Sequence, residues 1–137
     1  MTRFWSRLRS CRAELDEASF VLPVLLLVSI ALVNLAMLGF AAMNANNAAN
    51  YGARMGSVAA TNAPGLALAA AKTKAETAKV GSYAYSVSGS DTPGSLMTIS
   101  VAYTVPNYFG GLISMFGVSM PNTFQGVAQA WFRKEGW

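Results

Sequence analysis

From residue 18 to residue 53 the chain reads ASFVLPVLLLVSIALVNLAMLGFAAMNANNAANYGA, a run without one Lys, Arg, Asp or Glu. The residues before it hold Arg3, Arg7, Arg9, Arg12, Glu14, Asp16 and Glu17. Inside the run, Phe20 to Phe40 is apolar except for Ser29 and Asn34. At about 1.5 Å per residue this segment makes a helix roughly 31 Å long, enough to cross the hydrocarbon layer of a bilayer. A helix apolar on every face could also be the buried core of a soluble protein, but a domain this small could hardly cover one. Four arginines precede the span and Arg54 closely follows it, so the positive-inside bias puts the N-terminus in the cytoplasm. A cleaved secretory signal shares these ingredients, including the small residues from Gly39 to Ala42. Its apolar region is shorter, however, at about 7–15 residues.

The rest of the composition bounds the chemistry. A chain of 137 residues allows one small domain plus an anchor. Charged residues make up 12%, against about 25% in soluble domains. Four of the ten basic residues lie ahead of the apolar run, where topology accounts for them. Lys72, Lys74 and Lys79 read as a solvated helix face rather than a phosphate-binding stripe, so no nucleic-acid partner is expected. Cys11 is the single cysteine, which rules out an intramolecular disulfide and leaves packing to hold the domain. There is no histidine, so triads and metal sites built on imidazole are excluded. Gly110-Gly111 lacks the lysine and spacing of a phosphate loop. Asp91 and Glu135 read as solubilising groups. The chain is therefore expected not to be an enzyme, with no catalytic residue, metal, cofactor or small-molecule substrate.

Beyond Phe40 the alanine-rich sequence carries the helix toward about residue 60, since alanine is the best helix former. Small residues, among them Ala31, Gly39 and Ala42, would let neighbouring helices approach closely. Pro64-Gly65 reads as a break, and Leu66 to Val80 as a shorter second helix. The period then changes to two. Tyr83, Tyr85 and Val87 alternate with polar or small residues; after a turn at Gly89 to Gly94, so do Met97, Ile99, Val101, Tyr103 and Val105. Tyr108 to Gly117 reads as an apolar loop with a short helix, and Phe124 to Arg133 as a closing strand. Val101, Tyr103 and Trp131 are expected in the apolar layer under the sheet. The predicted architecture is α+β: a long N-terminal transmembrane helix, a short second helix and a small antiparallel sheet. It divides into a basic cytoplasmic leader (1–17), a transmembrane or filament-core helix (18–60) and an extracytoplasmic domain (61–137).

Taken on physical grounds alone, Glu17 is a carboxylate favoured near a helix N-terminus by the macrodipole. Its surroundings suggest more. Glu17-Ala18-Ser19-Phe20-Val21-Leu22-Pro23, followed by a Leu-Val run, resembles the N-terminal signature of TadE-like pilins of the tight-adherence pilus, in which a Glu precedes a Pro by six positions. Asn50-Tyr51-Gly52-Ala53-Arg54 resembles the end of that family's long helix. Ser100-Val101-Ala102-Tyr103, Pro106, the apolar loop and Ala130-Trp131-Phe132-Arg133-Lys134-Glu135 are similar to its C-terminal pattern. The resemblance implies a type IV-like filament of copies of this chain or of other pilins, extruded from the inner membrane, with a prepilin peptidase and an assembly platform as further partners. It implies a cut between Arg12 and Ala13, although Arg12 stands where the family has glycine. It also implies that Glu17 sets subunit register by pairing with a neighbour's cationic N-terminus. With the leader retained, Arg12, Arg9 or Arg7 is expected in that role. Two functions follow as expectations: a structural subunit of an extracellular adhesion filament, or a membrane-retained accessory pilin-like protein that primes or anchors a pilus or secretion machine.

Overall fold

In a computed structural model, residues 2–77 and 80–136 are described, with side chains from Glu17 onward. A helix α1 (Thr2–Ser57) is followed by α2 (Ala63–Ala75), β1 (Ser82–Ser88), β2 (Leu96–Pro106), α3 (Tyr108–Ile113), a single 3-10 turn (Ser114–Phe116) and β3 (Thr123–Arg133). The strands form one antiparallel sheet in the order β1-β2-β3. One face of that sheet lies on α1 and α2; β2 and β3 pack on α1, and β1 on α2. The architecture is thus α+β, with a two-layer domain built around the C-terminal half of the long helix.

Alanine makes the helix layer possible. Ala63, Ala67, Ala71 and Ala75 are fully buried, and their spacing of four puts them on one stripe of α2. They face Ala45, Ala48, Ala49 and Ala53 of α1 in the same core. With no larger side chains between them, the two backbones come close enough that glycine becomes obligatory. A Cβ on Gly52 would lie 2.7 Å from the Ala67 carbonyl oxygen and 2.7 Å from Ile99 Cδ1. One on Gly56 would lie 2.7 Å from the Phe132 ring.

The second helix starts three residues earlier than the expected Leu66, and Pro64-Gly65 sits inside it. A proline in the first turn gives up an N–H that has no helical partner there. Asn62 caps this end, its Oδ1 accepting from the Gly65 N–H at 3.2 Å. Asn44, buried in α1, closes the other end by donating to the Ala75 carbonyl at 2.9 Å.

On β2 the expected face is observed: Met97, Ile99, Val101 and Val105 are fully buried, and Tyr103 is half-buried against the same core. Tyr103 pairs with Gly126, and its ring covers the place a side chain would take there. Trp131 corrects the sequence reading, because it is 63% exposed while Phe132 beside it is 6% exposed. Directly opposed residues in an antiparallel pair share a face. Phe132 lies opposite buried Met97, and Trp131 opposite Thr98, so register sends the larger ring to the outer face.

The top of the domain is tied by two charged groups, Lys134 and Asp91, of which Asp91 reads from sequence as a solubilising group. Lys134 is 4% exposed, and its Nζ donates to the Ala59 carbonyl at 2.9 Å, just past the C-terminus of α1 where the helix dipole favours a cation. Asp91, from the β1–β2 turn, accepts from the Asn62 N–H at 3.0 Å and the Ala63 N–H at 3.1 Å. It thereby caps the start of α2, and stands 4.0 Å from Lys134 Nζ.

Candidate functional site: the bare half of the long helix

Helix α1 changes character along its length. Between Phe20 and Val28 its large apolar side chains face outward on every side, with Phe20, Leu22 and Leu26 all exposed. Of its most apolar 18-residue window, 6% is buried, which sets α1 apart from the covered core helix of a soluble protein. The chain has one helix, within Glu17–Ser57, long and apolar enough to cross a membrane among the described residues. Two local features interrupt its regular pattern. Ser29 returns its hydroxyl to the Leu25 carbonyl at 2.8 Å, satisfying a polar group within the helix itself. Pro23 lies inside the helix and lacks the N–H that would have bonded the Ser19 carbonyl.

The site residues read from sequence distribute as follows. Glu17 is on α1 and exposed. Arg12 and Ala13 lie within the helical backbone of α1, and their side chains fall outside those described. Ala31 and Ala42 are half-buried and Gly39 is exposed; no described atom comes within 4 Å of a Cβ built on Gly39. Gly39 therefore takes no part in the close intramolecular helix contact, which is made at Gly52, Gly56 and the alanine stripes. Val101 is in the sheet core, Tyr103 at its edge, and Trp131 outside it. Lys72 and Lys74 are exposed as expected, whereas Lys79 lies outside the described residues.

Sequence reasoning passed over Asn34 as an interruption of the apolar run. It is 3% exposed and is the anchor point of the lower end of the domain. Its Nδ2 donates to Asn107 Oδ1 at 2.9 Å, and its Oδ1 accepts from the Tyr108 N–H at 3.3 Å. Asn107 caps α3 by accepting from the Gly110 N–H at 2.9 Å, and donates to the Pro121 carbonyl at 2.8 Å. An asparagine alone in an apolar helix is the signal that could have revealed this, since a polar side chain there needs a partner.

Against protein-family models, curated proteins and solved structures, the chain has no match. Its function must be argued from geometry. Two open grooves flank Asn34 where α3 meets α1. One, of about 330 Å³, is lined by Ser29, Ile30, Val33, Asn34, Tyr108 and Leu112. The other, of about 350 Å³, is lined by Ala31, Asn34, Leu35, Leu38, Phe109 and Phe124. Neither brings together nucleophile, acid and base. What the arrangement offers is a long apolar rod with a domain clasped to one end.

Proposed function

We propose that this chain is a pilin-like structural subunit of a tight-adherence, type IV-like pilus that acts in adhesion. It is inserted first in the inner membrane with its N-terminus cytoplasmic, and then packed with copies of itself in an extracellular filament. The observation that carries the reading is the uncovered apolar half of α1, continuous with a half that forms the core of a small sheet domain. An apolar helix bare on all sides must be covered by lipid or by other apolar helices. A rod that can exchange one cover for the other suits a subunit that leaves a membrane to enter a filament. The exposed Glu17 at the start of the bare segment supports the reading. Buried in such a bundle without a partner, its ionised form would cost several kcal/mol, so a neighbour's cation, an arginine of the retained leader, pairs with it. The role is structural rather than catalytic.

The test is to express the full chain, shear the cells and image the detergent-free fraction. Lipid-free helical filaments containing this chain alone are expected, and Glu17→Gln lowers their yield far more than it lowers membrane insertion. Intact mass of the assembled chain reads the leader, a mass starting at Ala13 meaning that it is cut. Wild-type chain recovered in the cytosol would end the membrane reading. Chain confined to membranes without filaments would replace a structural subunit by a retained accessory one.

A further inference from the structure

The lower end of the domain lies beside the apolar span of α1 rather than above it. Asn34, which holds this end, is six residues inside Phe40, so the clasp sits about 9 Å below the end of the apolar run at 1.5 Å per residue. The groove shared by Ile30, Tyr108 and Leu112 reaches about 15 Å below it by the same rise. On another face of α1 at these levels, Leu32 is exposed, and whatever covers it meets the domain's lower end too.

That end has the chemistry of a lipid-immersed element. No charged residue occurs from Thr92 to Phe132. Met115 is 83% and Phe116 70% exposed, with Val118 and Met120 exposed nearby. Non-helical backbone at membrane depth is tolerated only where it is buried in protein or lines a water-filled cavity, so immersion is confined to the helical part of the tip. Here the turn is closed by the Gly117 N–H donating to the Ser114 carbonyl at 3.0 Å, and by Ser114 Oγ donating to the Gly111 carbonyl at 2.7 Å. The return to β3 is held by the Asn107 N–H donating to the Asn122 carbonyl at 2.8 Å. Tyr108, exposed at the clasp, is an amphipathic ring of the kind enriched at membrane interfaces.

We infer that, while the chain is anchored in the membrane, the helical tip from Tyr108 to Phe116 is immersed in the outer leaflet, with phospholipid acyl chains lying in the two grooves beside Asn34. The inference rests on the membrane anchoring proposed above. It makes the tip a second attachment to the bilayer, which fixes the tilt and rotation of the domain against the membrane in a way one helix alone does not. Extraction of the subunit then requires the tip as well as the helix to leave lipid.

The experiment uses the full chain, with Cys11 replaced by serine, at one copy per nanodisc of phosphatidylethanolamine and phosphatidylglycerol. Single cysteines introduced as Met115→Cys, Leu26→Cys and Ser86→Cys carry an environment-sensitive fluorophore. Nitroxide-labelled phospholipids and aqueous iodide serve as quenchers. The Met115 label is expected to be quenched by nitroxide lipid about as strongly as the Leu26 label and to be shielded from iodide, with the Ser86 label showing the opposite. Lipid quenching at Leu26 with iodide quenching at Met115 overturns the inference and leaves the anchor intact. A Met115 label shielded from both quenchers means that protein covers the tip, which also overturns it. Absence of lipid quenching at Leu26 removes the anchor and the inference together.

Discussion

Gly52→Ala places a methyl group where α1, α2 and the sheet converge. In an exposed helix the change stabilises by about 1 kcal/mol, since alanine is the better helix former. Here the new Cβ meets the Ala67 carbonyl oxygen and Ile99 Cδ1, each at 2.7 Å, and the Ala71 Cβ at 3.0 Å. Relaxing the oxygen contact to an ordinary separation of about 3.4 Å moves the helices apart by roughly 0.7 Å, loosening an alanine interface whose attraction falls off over that distance. Overpacking of this kind costs about 1–3 kcal/mol, which outweighs the propensity gain over most of its range, so a net loss on the order of 1 kcal/mol is expected. Ile99→Val in the same chain removes Cδ1 but leaves the backbone oxygen, so it should restore little. Gly39→Ala, with open space around its Cβ, supplies the control and should lose nothing. Denaturant titration of the full chain in detergent, read by circular dichroism, measures all three. A Gly52→Ala variant as stable as wild type would refute the close-approach argument, as would an equal loss at Gly39.

Neighbouring aromatics on β3 should behave oppositely: Phe132→Ala costs about 3–5 kcal/mol as a buried ring, whereas Trp131→Ala, on the outer face, leaves the unfolding midpoint within the ~0.5 kcal/mol usual for surface changes. Lys134→Ala strips the α1 terminus of a charged hydrogen bond and should destabilise by about 1.5–3 kcal/mol, while Lys134→Met tests whether the stem alone suffices; a wild-type midpoint for Lys134→Ala would show the contact to be idle. Burial, and then the charges of Glu76 and Tyr83, raise the Tyr85 pKa above 10.0. Its stabilisation is therefore fully present below the unfolded value and lost as pH rises through the folded one. Thermal melts from neutral to strongly alkaline pH should fall less steeply for Tyr85→Phe than for wild type, and identical slopes would argue against the shift.

Several elements were legible because they depend on local pattern. The uncharged run, the alternation of Met97 to Val105 and the turn from Gly89 to Gly94 each carry their own period or punctuation. Strand β3 was legible as a strand but not as to its face. Apolar residues lie on both sides of it, Val127 and Trp131 outward, Phe124, Ala128, Ala130 and Phe132 inward, so alternation could not choose. Pro64 was misread because a proline that ends one helix and a proline that opens the next look alike until the cap at Asn62 is seen. Asp91, Lys134 and Asn34 were invisible as structural groups since their partners are distant in the chain, up to 75 residues away for Lys134.

Sequence by itself determined a helix long and apolar enough to cross a membrane, the α+β class and the absence of histidine chemistry, because length, hydropathy and residue inventory are properties of the chain before it folds. Tertiary structure decided which small residues matter. It left Gly39 in the open and put Gly52 and Gly56 against α2 and Phe132, a distinction of packing distance that identical residues cannot announce. It also set the domain beside the span through Asn34 and Asn107. Whether two polar side chains, 73 positions apart, will find each other depends on the path of everything between them.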